Sequence, residues 1–175
     1  MTVLFAAASL TGCRHATPVP AQTEPAEPAA ADAAVFIVLR HAEKADDGTR
    51  DPDLNDAGRA RAGRIAEALR EAPLQAVYTT AYRRTRATAA PVAALHGLTV
   101  RSYDAARPAE ALAAELRATH PDGTVLVVGH SNTVPAIAAA LCACPVAPMD
   151  DHSYGRWIEV RIGPDGRTRL SERAY

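Results

Sequence analysis

The chain has 175 residues, a formal net charge of −1 and a hydrophobic fraction of 48%, enough for one domain with a substantial core. A balance this close to neutral excludes a general attraction to nucleic acid or anionic lipid, so any cluster of arginines is a local device. Aromatic residues make up only 5%, which suits Ala-rich helices packed closely on a sheet, and no apolar run is long enough for a mature membrane-spanning helix.

In chain order, residues 3–10 form a short apolar run that ends in Leu10-Thr11-Gly12-Cys13. The run has the size of a signal-peptide core and is too short to span a bilayer. Its end resembles the lipobox of bacterial lipoprotein signal peptides, in which the cysteine becomes the lipidated first residue. The resemblance implies a signal peptide over residues 1–13, a lipid anchor on Cys13, and a place in the bacterial cell envelope facing the periplasm or the exterior. The leader Met1-Thr2 departs from the pattern in having no Lys or Arg. Residues 14–34 are rich in Pro, Ala and Glu without apolar periodicity, and so little apolar surface does not offset ordering entropy. They read as a disordered, extended tether, leaving residues 35–175 as the domain.

Residues 35–39, Val-Phe-Ile-Val-Leu, are an unbroken apolar run that stops at Arg40, His41 and Glu43. Such a run reads as a strand buried on both faces, typical of a parallel sheet. A polar loop with Asp46-Asp47-Gly48 as its turn signal follows. A helix is expected over about 56–71, with Asn55 or Asp56 as N-cap, and then a strand over 74–79. A second helix is expected from about Thr80 to His96, with Gly97 closing it. At 100° per residue, Ala81, Thr85, Thr88, Val92 and Leu95 mark its inward face. Arg84 then lies about 40° from Thr88, while Arg83 and Arg86 point nearly the opposite way, toward solvent. A strand over 98–102 and a helix over 108–119 come next. The run 124–129 is a second buried strand, ending at His130. Ser131 or Asn132 is the expected cap of a fourth helix carrying Pro135 in its first turn. Strands over 156–162 and 168–173 flank Gly163-Pro164-Asp165-Gly166, a hairpin signal.

Alternating strands and helices predict an α/β three-layer sandwich with a mostly parallel central sheet that ends in a β-hairpin. The three cysteines are Cys13, Cys142 and Cys144. Closing a ring as small as 142–144 is strained, so this pair reads as ordinary packing residues. No metal-ligand spacing of the C-x2-C kind is present.

In parallel sheets ligands gather beyond the carboxyl ends of the strands. Two matched strand ends place His41 and His130 on one edge, and a strand-to-helix turn adds Arg84. Two guanidiniums, two imidazoles and a helix start at Ser131 and Asn132 make a pocket for a compact, multiply charged oxyanion. A histidine there can attack phosphorus, provided its other nitrogen donates to a carbonyl, for which the loop itself is the candidate. The arginines and the second histidine then stabilise the transferring phosphoryl group.

Four motifs in this arrangement resemble those of the histidine phosphatase (phosphoglycerate mutase-like) superfamily. They are Arg40-His41-Ala42-Glu43, Leu54-x3-Gly58, Thr80-x3-Arg84-Thr85-x2-Thr88-Ala89, and Gly129-His130-Ser131-Asn132. Asn55 stands where the second motif usually has a hydroxyl residue. The resemblance covers roughly residues 35–162. It implies a phosphoglycerate mutase-like fold and a phosphatase acting on phosphate monoesters, or on phosphoamidates such as phosphohistidine, through a phosphohistidine intermediate on His41. Arg40, Arg84 and His130 then bind the phosphoryl group, and neither a metal nor another cofactor is required. The short span between Arg84 and His130 leaves no room for a sizeable cap domain, so the expected site is open. The implied partner is a phosphorylated small molecule or phosphoprotein, with no nucleic acid, and with the membrane through the lipid anchor. The competing readings are a phosphomutase-type phosphotransferase and a catalytically inactive phosphate-binding module. Glu43, Asp104 and Glu110 are the candidate proton donors, Glu43 being preferred for a place in the pocket. Lys44 reads as solvated.

Overall fold

The computed structural model describes residues 33–175. The expected signal peptide, the expected lipobox Cys13 and residues 14–32 of the expected tether lie outside the described residues. The chain folds as β1 (Ala34–Arg40), α1 (Asp56–Ala68), β2 (Leu74–Thr79), α2 (Arg83–Leu95), β3 (Val100–Ser102), α3 (Ala109–Thr119), β4 (Gly123–Gly129), α4 (Val134–Cys142), β5 (Arg156–Ile162) and β6 (Thr168–Ala174). The first strand takes in Ala34, the last residue assigned to the tether. Among the described residues no helix is long and apolar enough to cross a membrane.

One six-stranded sheet runs in the order β3-β2-β4-β1-β5-β6. The first four strands are parallel, and the closing pair β5 and β6 is antiparallel. β1 is buried along all of its seven residues, as its unbroken apolar run requires when both faces are covered. Phe36 and Val38 pack with α3 and α4 residues such as Leu112, Leu116, Ile137 and Leu141. Ile37 and Leu39 pack on the opposite face with Ile65 of α1 and Val92 of α2. Burial of each such side chain contributes about 1.5–3 kcal/mol.

Two motif glycines are matters of space. A Cβ on Gly58 would lie 2.1 Å from the Glu43 carbonyl oxygen, so the first turn of α1 closes on the backbone that follows His41 only without a side chain. A Cβ on Gly129 would lie 2.8 Å from both the Thr133 hydroxyl and the Tyr103 hydroxyl.

Local expectations needed three corrections. α2 begins at Arg83 with Tyr82 at its cap, because Thr80 is drawn into a buried hydroxyl chain; Ala81 and Leu95, assigned to the inward face, are exposed. α4 begins at Val134 with Thr133 at its cap. Its first turn is preceded by a tight turn in which Thr133 and Val134 N–H groups both donate to the His130 carbonyl. Neither Ser131 nor Asn132 caps it. Third, Cys142 and Cys144 form a disulfide, with Cα atoms 5.2 Å apart. α4 ends between them on Ala143 in the left-handed region, φ 53°, and this reversal brings the two side chains together.

Candidate active site

β1, β2 and β4 end on the same edge, and their last residues lead directly into the cleft. The His41 N–H donates to the Gly129 carbonyl at 3.0 Å, so the two histidine-bearing strand ends are tied to each other. The cleft has a volume of about 710 Å³, and Arg40, His41, Arg84, His130, Ser131 and Asn132 all line it. These six expected residues are therefore brought together. Arg84 is the inward arginine of its helix, as the wheel requires: its side chain is 15% exposed, against 56% for Arg83.

His41 is 4% exposed. Its Nδ1 lies 2.8 Å from the carbonyl oxygen of Ala42. A carbonyl only accepts, so Nδ1 carries the proton and, in the neutral ring, Nε2 carries the lone pair. The Ala42 N–H in turn donates to the Thr88 hydroxyl at 2.9 Å, and Thr88 donates to the Arg84 carbonyl at 2.7 Å. The turn that holds His41 is thus pinned to the helix that carries Arg84.

His130 lies edge-on to His41, with ring centroids 5.4 Å apart. Its Nε2 is 2.9 Å from the Thr80 hydroxyl, which is 2.9 Å from the Thr85 hydroxyl. Thr85 has the carbonyls of Tyr82 and Thr80 as acceptors at 2.8 and 3.0 Å. When it spends its proton on one of them, Thr80 donates to Thr85 and accepts from His130 Nε2. Burial lowers the pKa of His41 to about 4, the neighbouring charges of Arg40, His130 and Arg84 acting in the same sense. Burial, with Arg84 and Arg40, also lowers that of His130 to about 4. Both rings are therefore neutral at pH 7.

Arg40 is held by backbone. Its Nη1 donates to the carbonyls of Asp150 and Ser153 at 3.1 and 3.0 Å, and its Nη2 to that of Asp151 at 2.9 Å. Its guanidinium also stacks 4.2 Å from the Tyr154 ring centroid, and that of Arg84 stacks 4.3 Å from Tyr82. Arg84 Nη1 reaches Asp51 at 3.4 Å, and Asp51 also accepts from the Arg83 N–H at the start of α2. Among the described residues the Nε atoms of both Arg40 and Arg84 are buried without a partner. Two arginines on the wall of one cleft, each with a buried and unpartnered Nε–H, favour an anion beside them.

The carboxylates behave differently from expectation. Glu43 does not line the cleft. Its carboxylate takes three hydrogen bonds from Arg61 at 2.6–3.0 Å, and this pairing holds it below the usual carboxylate range. An acid paired in this way is an ionised strut, so Glu43 is not the pocket residue the sequence suggested. Asp104 and Glu110 are also absent from the cleft wall; Asp104 instead caps its own turn through the Ala106 N–H. Lys44, exposed as expected, lies at the rim with Asp46, Asp151 and His152. The sequence reading missed Asp51, Tyr82, Tyr154 and the 150–153 turn. Thr80 stood in a motif without a role, and the others carried no signal in spacing.

The model of the histidine phosphatase superfamily (branch 1) matches residues 36–108, a span that holds Arg40, His41 and Arg84. The first half of the domain is thus similar to the histidine phosphatase superfamily. Solved structures of similar fold extend over the rest, His130 included. A mycobacterial glucosyl-3-phosphoglycerate phosphatase is 22% identical, with TM-score 0.63 over 79% of this chain and 97% of its own. The protein histidine phosphatase SixA, complexed with tungstate, is 20% identical, with TM-score 0.67 over 80% and 96%. A phosphoserine phosphatase from Entamoeba histolytica is 13% identical, with TM-score 0.61 over 81% and 98%. No curated protein sequence matches the chain.

Proposed function

We propose that this protein is a phosphatase that hydrolyses phosphate monoesters or phosphoamidates through a phosphohistidine on His41, without a metal ion. The observation that carries the reading is the Nδ1–H of His41 donating to the Ala42 carbonyl, which leaves Nε2 as a nucleophile in a cleft walled by two half-satisfied arginines. Nε2 attacks phosphorus, the bond to the leaving group breaks, and its electron pair leaves on the departing atom. The guanidiniums of Arg40 and Arg84 stabilise charge on the equatorial oxygens. A dianion in the cleft also favours the charged form of His130, which then adds a further donor. Water next attacks the phosphohistidine and the P–N bond breaks, returning the pair to Nε2. Because only the short helix α3 separates β3 from β4, the cleft is open, which suits hydrolysis over retained phosphotransfer and admits an exposed phosphate on a larger molecule. Its neighbours in fold are named for a phosphorylated sugar acid, a protein phosphohistidine and phosphoserine, and the open site supports a substrate in that range for this chain.

The test is turnover of p-nitrophenyl phosphate in EDTA by wild type and His41→Ala, with acid-labile phosphate trapped on the enzyme. Turnover in EDTA, lost by at least about 10³-fold in the variant, and trapped phosphate on wild type alone are expected. Activity abolished by EDTA, or retained by His41→Ala, would sink the mechanism.

We also infer that the protein is exported and anchored through Cys13, in the bacterial cell envelope. The disulfide between Cys142 and Cys144 supports an oxidising compartment, and Leu10-Thr11-Gly12-Cys13 supports the lipid anchor. Fractionation of wild type and Cys13→Ser decides it: the wild type is expected with membranes and the variant released, and an unchanged distribution overturns the anchor.

A further inference from the structure

None of the three carboxylates that the sequence offered as proton donors lines the cleft. A tight turn over residues 150–153 stands at the cleft mouth. The Asp150 carboxylate accepts from the N–H groups of His152 and Ser153, both at 2.7 Å, and from the Ser153 hydroxyl at 2.7 Å. From below, Arg40 binds the carbonyls of Asp150, Asp151 and Ser153. The carbonyls before and after His152 and its own N–H are thus all fixed, and the residue so held lines the cleft with its imidazole exposed.

We propose that His152 is the general acid of the first chemical step and the general base of the second, an assignment that rests on the phosphatase reading above. As His41 Nε2 bonds to phosphorus and the P–O bond breaks, imidazolium His152 gives its proton to the departing oxygen. Neutral His152 then takes the proton of the water that attacks the phosphohistidine, and the P–N electron pair returns to His41. One residue is charged and neutral in turn and ends as it began. Imidazole is the side chain suited to both duties near neutral pH. Asp151, also on the cleft wall, is unsuited: the Ser131 hydroxyl donates to it, and this bond, with Arg40 and His152, keeps it ionised below the usual range. Asp46 is the remaining carboxylate on the wall, and it sits in an exposed loop without the anchoring of the 150–153 turn.

The test uses the full-length protein and two aryl phosphates, p-nitrophenyl and phenyl, compared by kcat/KM, which reports the steps up to departure of the phenol. p-Nitrophenolate leaves without a proton and phenolate needs one. In His152→Gln, kcat/KM for phenyl phosphate is expected to fall at least about tenfold further than that for p-nitrophenyl phosphate, within the usual range of general-acid effects. Asp46→Asn is expected to change both alike. Parallel losses in His152→Gln, no loss at all, or a selective loss in Asp46→Asn would overturn the assignment while leaving the phosphatase reading intact. A wild type that turns over neither ester would overturn both, and measurable p-nitrophenyl activity in His152→Gln establishes that the variant is folded.

Discussion

At the scale of single residues, His41 is the position where opposing demands meet. A nucleophile at phosphorus must be neutral, yet it must sit among cations that hold a dianion. Burial and the flanking guanidiniums push both His41 and His130 to about 4, and the Ala42 carbonyl selects the tautomer with its lone pair on Nε2. The same shifts have a thermodynamic consequence. An unfolded histidine titrates near 6.5, so below that pH the unfolded state binds protons that the folded pair refuses. Stability contributed by the neutral pair is complete above pH 6.5 and is lost as pH falls toward 4. At pH 5 the loss is on the order of 2 kcal/mol for each ring. Thermal unfolding is therefore expected at lower temperature at pH 5 than at pH 7, and inorganic phosphate should restore part of the difference, because an anion in the cleft favours the protonated rings. If His41→Ala/His130→Ala shows the same pH dependence as wild type, the pair is not the cause.

At the scale of elements, the site is a set of seams. The turn after β1 meets α2 through Ala42 and Thr88, and meets α1 through Gly58 and through Glu43 with Arg61. Arg61 also donates to the Tyr175 carbonyl at 2.8 Å, so the same ion pair reaches the end of the chain. Its side chains are only 15% and 20% exposed, and removing one partner strands the other. Glu43→Ala is expected to cost about 1–3 kcal/mol in chemical denaturation, with kcat/KM within about threefold of wild type. A loss of activity exceeding that, with stability unchanged, would return Glu43 to the chemistry. The short motif Leu54-x3-Gly58 is explained at this scale too: it is the place where α1 closes onto the backbone behind His41.

At the scale of the whole molecule, much was legible in one dimension. The unbroken apolar runs of β1 and β4 required coverage on both faces, and strand ends in a parallel sheet share an edge, so His41 and His130 were bound to meet. Helical geometry separated Arg84 from its two neighbours, since a 100° step leaves one of them facing the core. These follow from periodicity, which is local. Contacts between segments far apart in the chain were not legible. The Glu43 carboxylate, two residues from His41, turns away because Arg61 lies 18 residues later on a facing helix. Arg40 is gripped by carbonyls more than a hundred residues on, and carbonyls carry no sequence signal. Cys142 and Cys144 pair because α4 ends on a left-handed Ala143, a backbone conformation for which alanine gives no warning. The sequence by itself determined the layers, the shared edge and the identity of its four cationic and imidazole groups. The tertiary structure alone decided which carboxylates face away, what anchors the arginines and which residue stands at the mouth, because those outcomes depend on where distant backbone arrives.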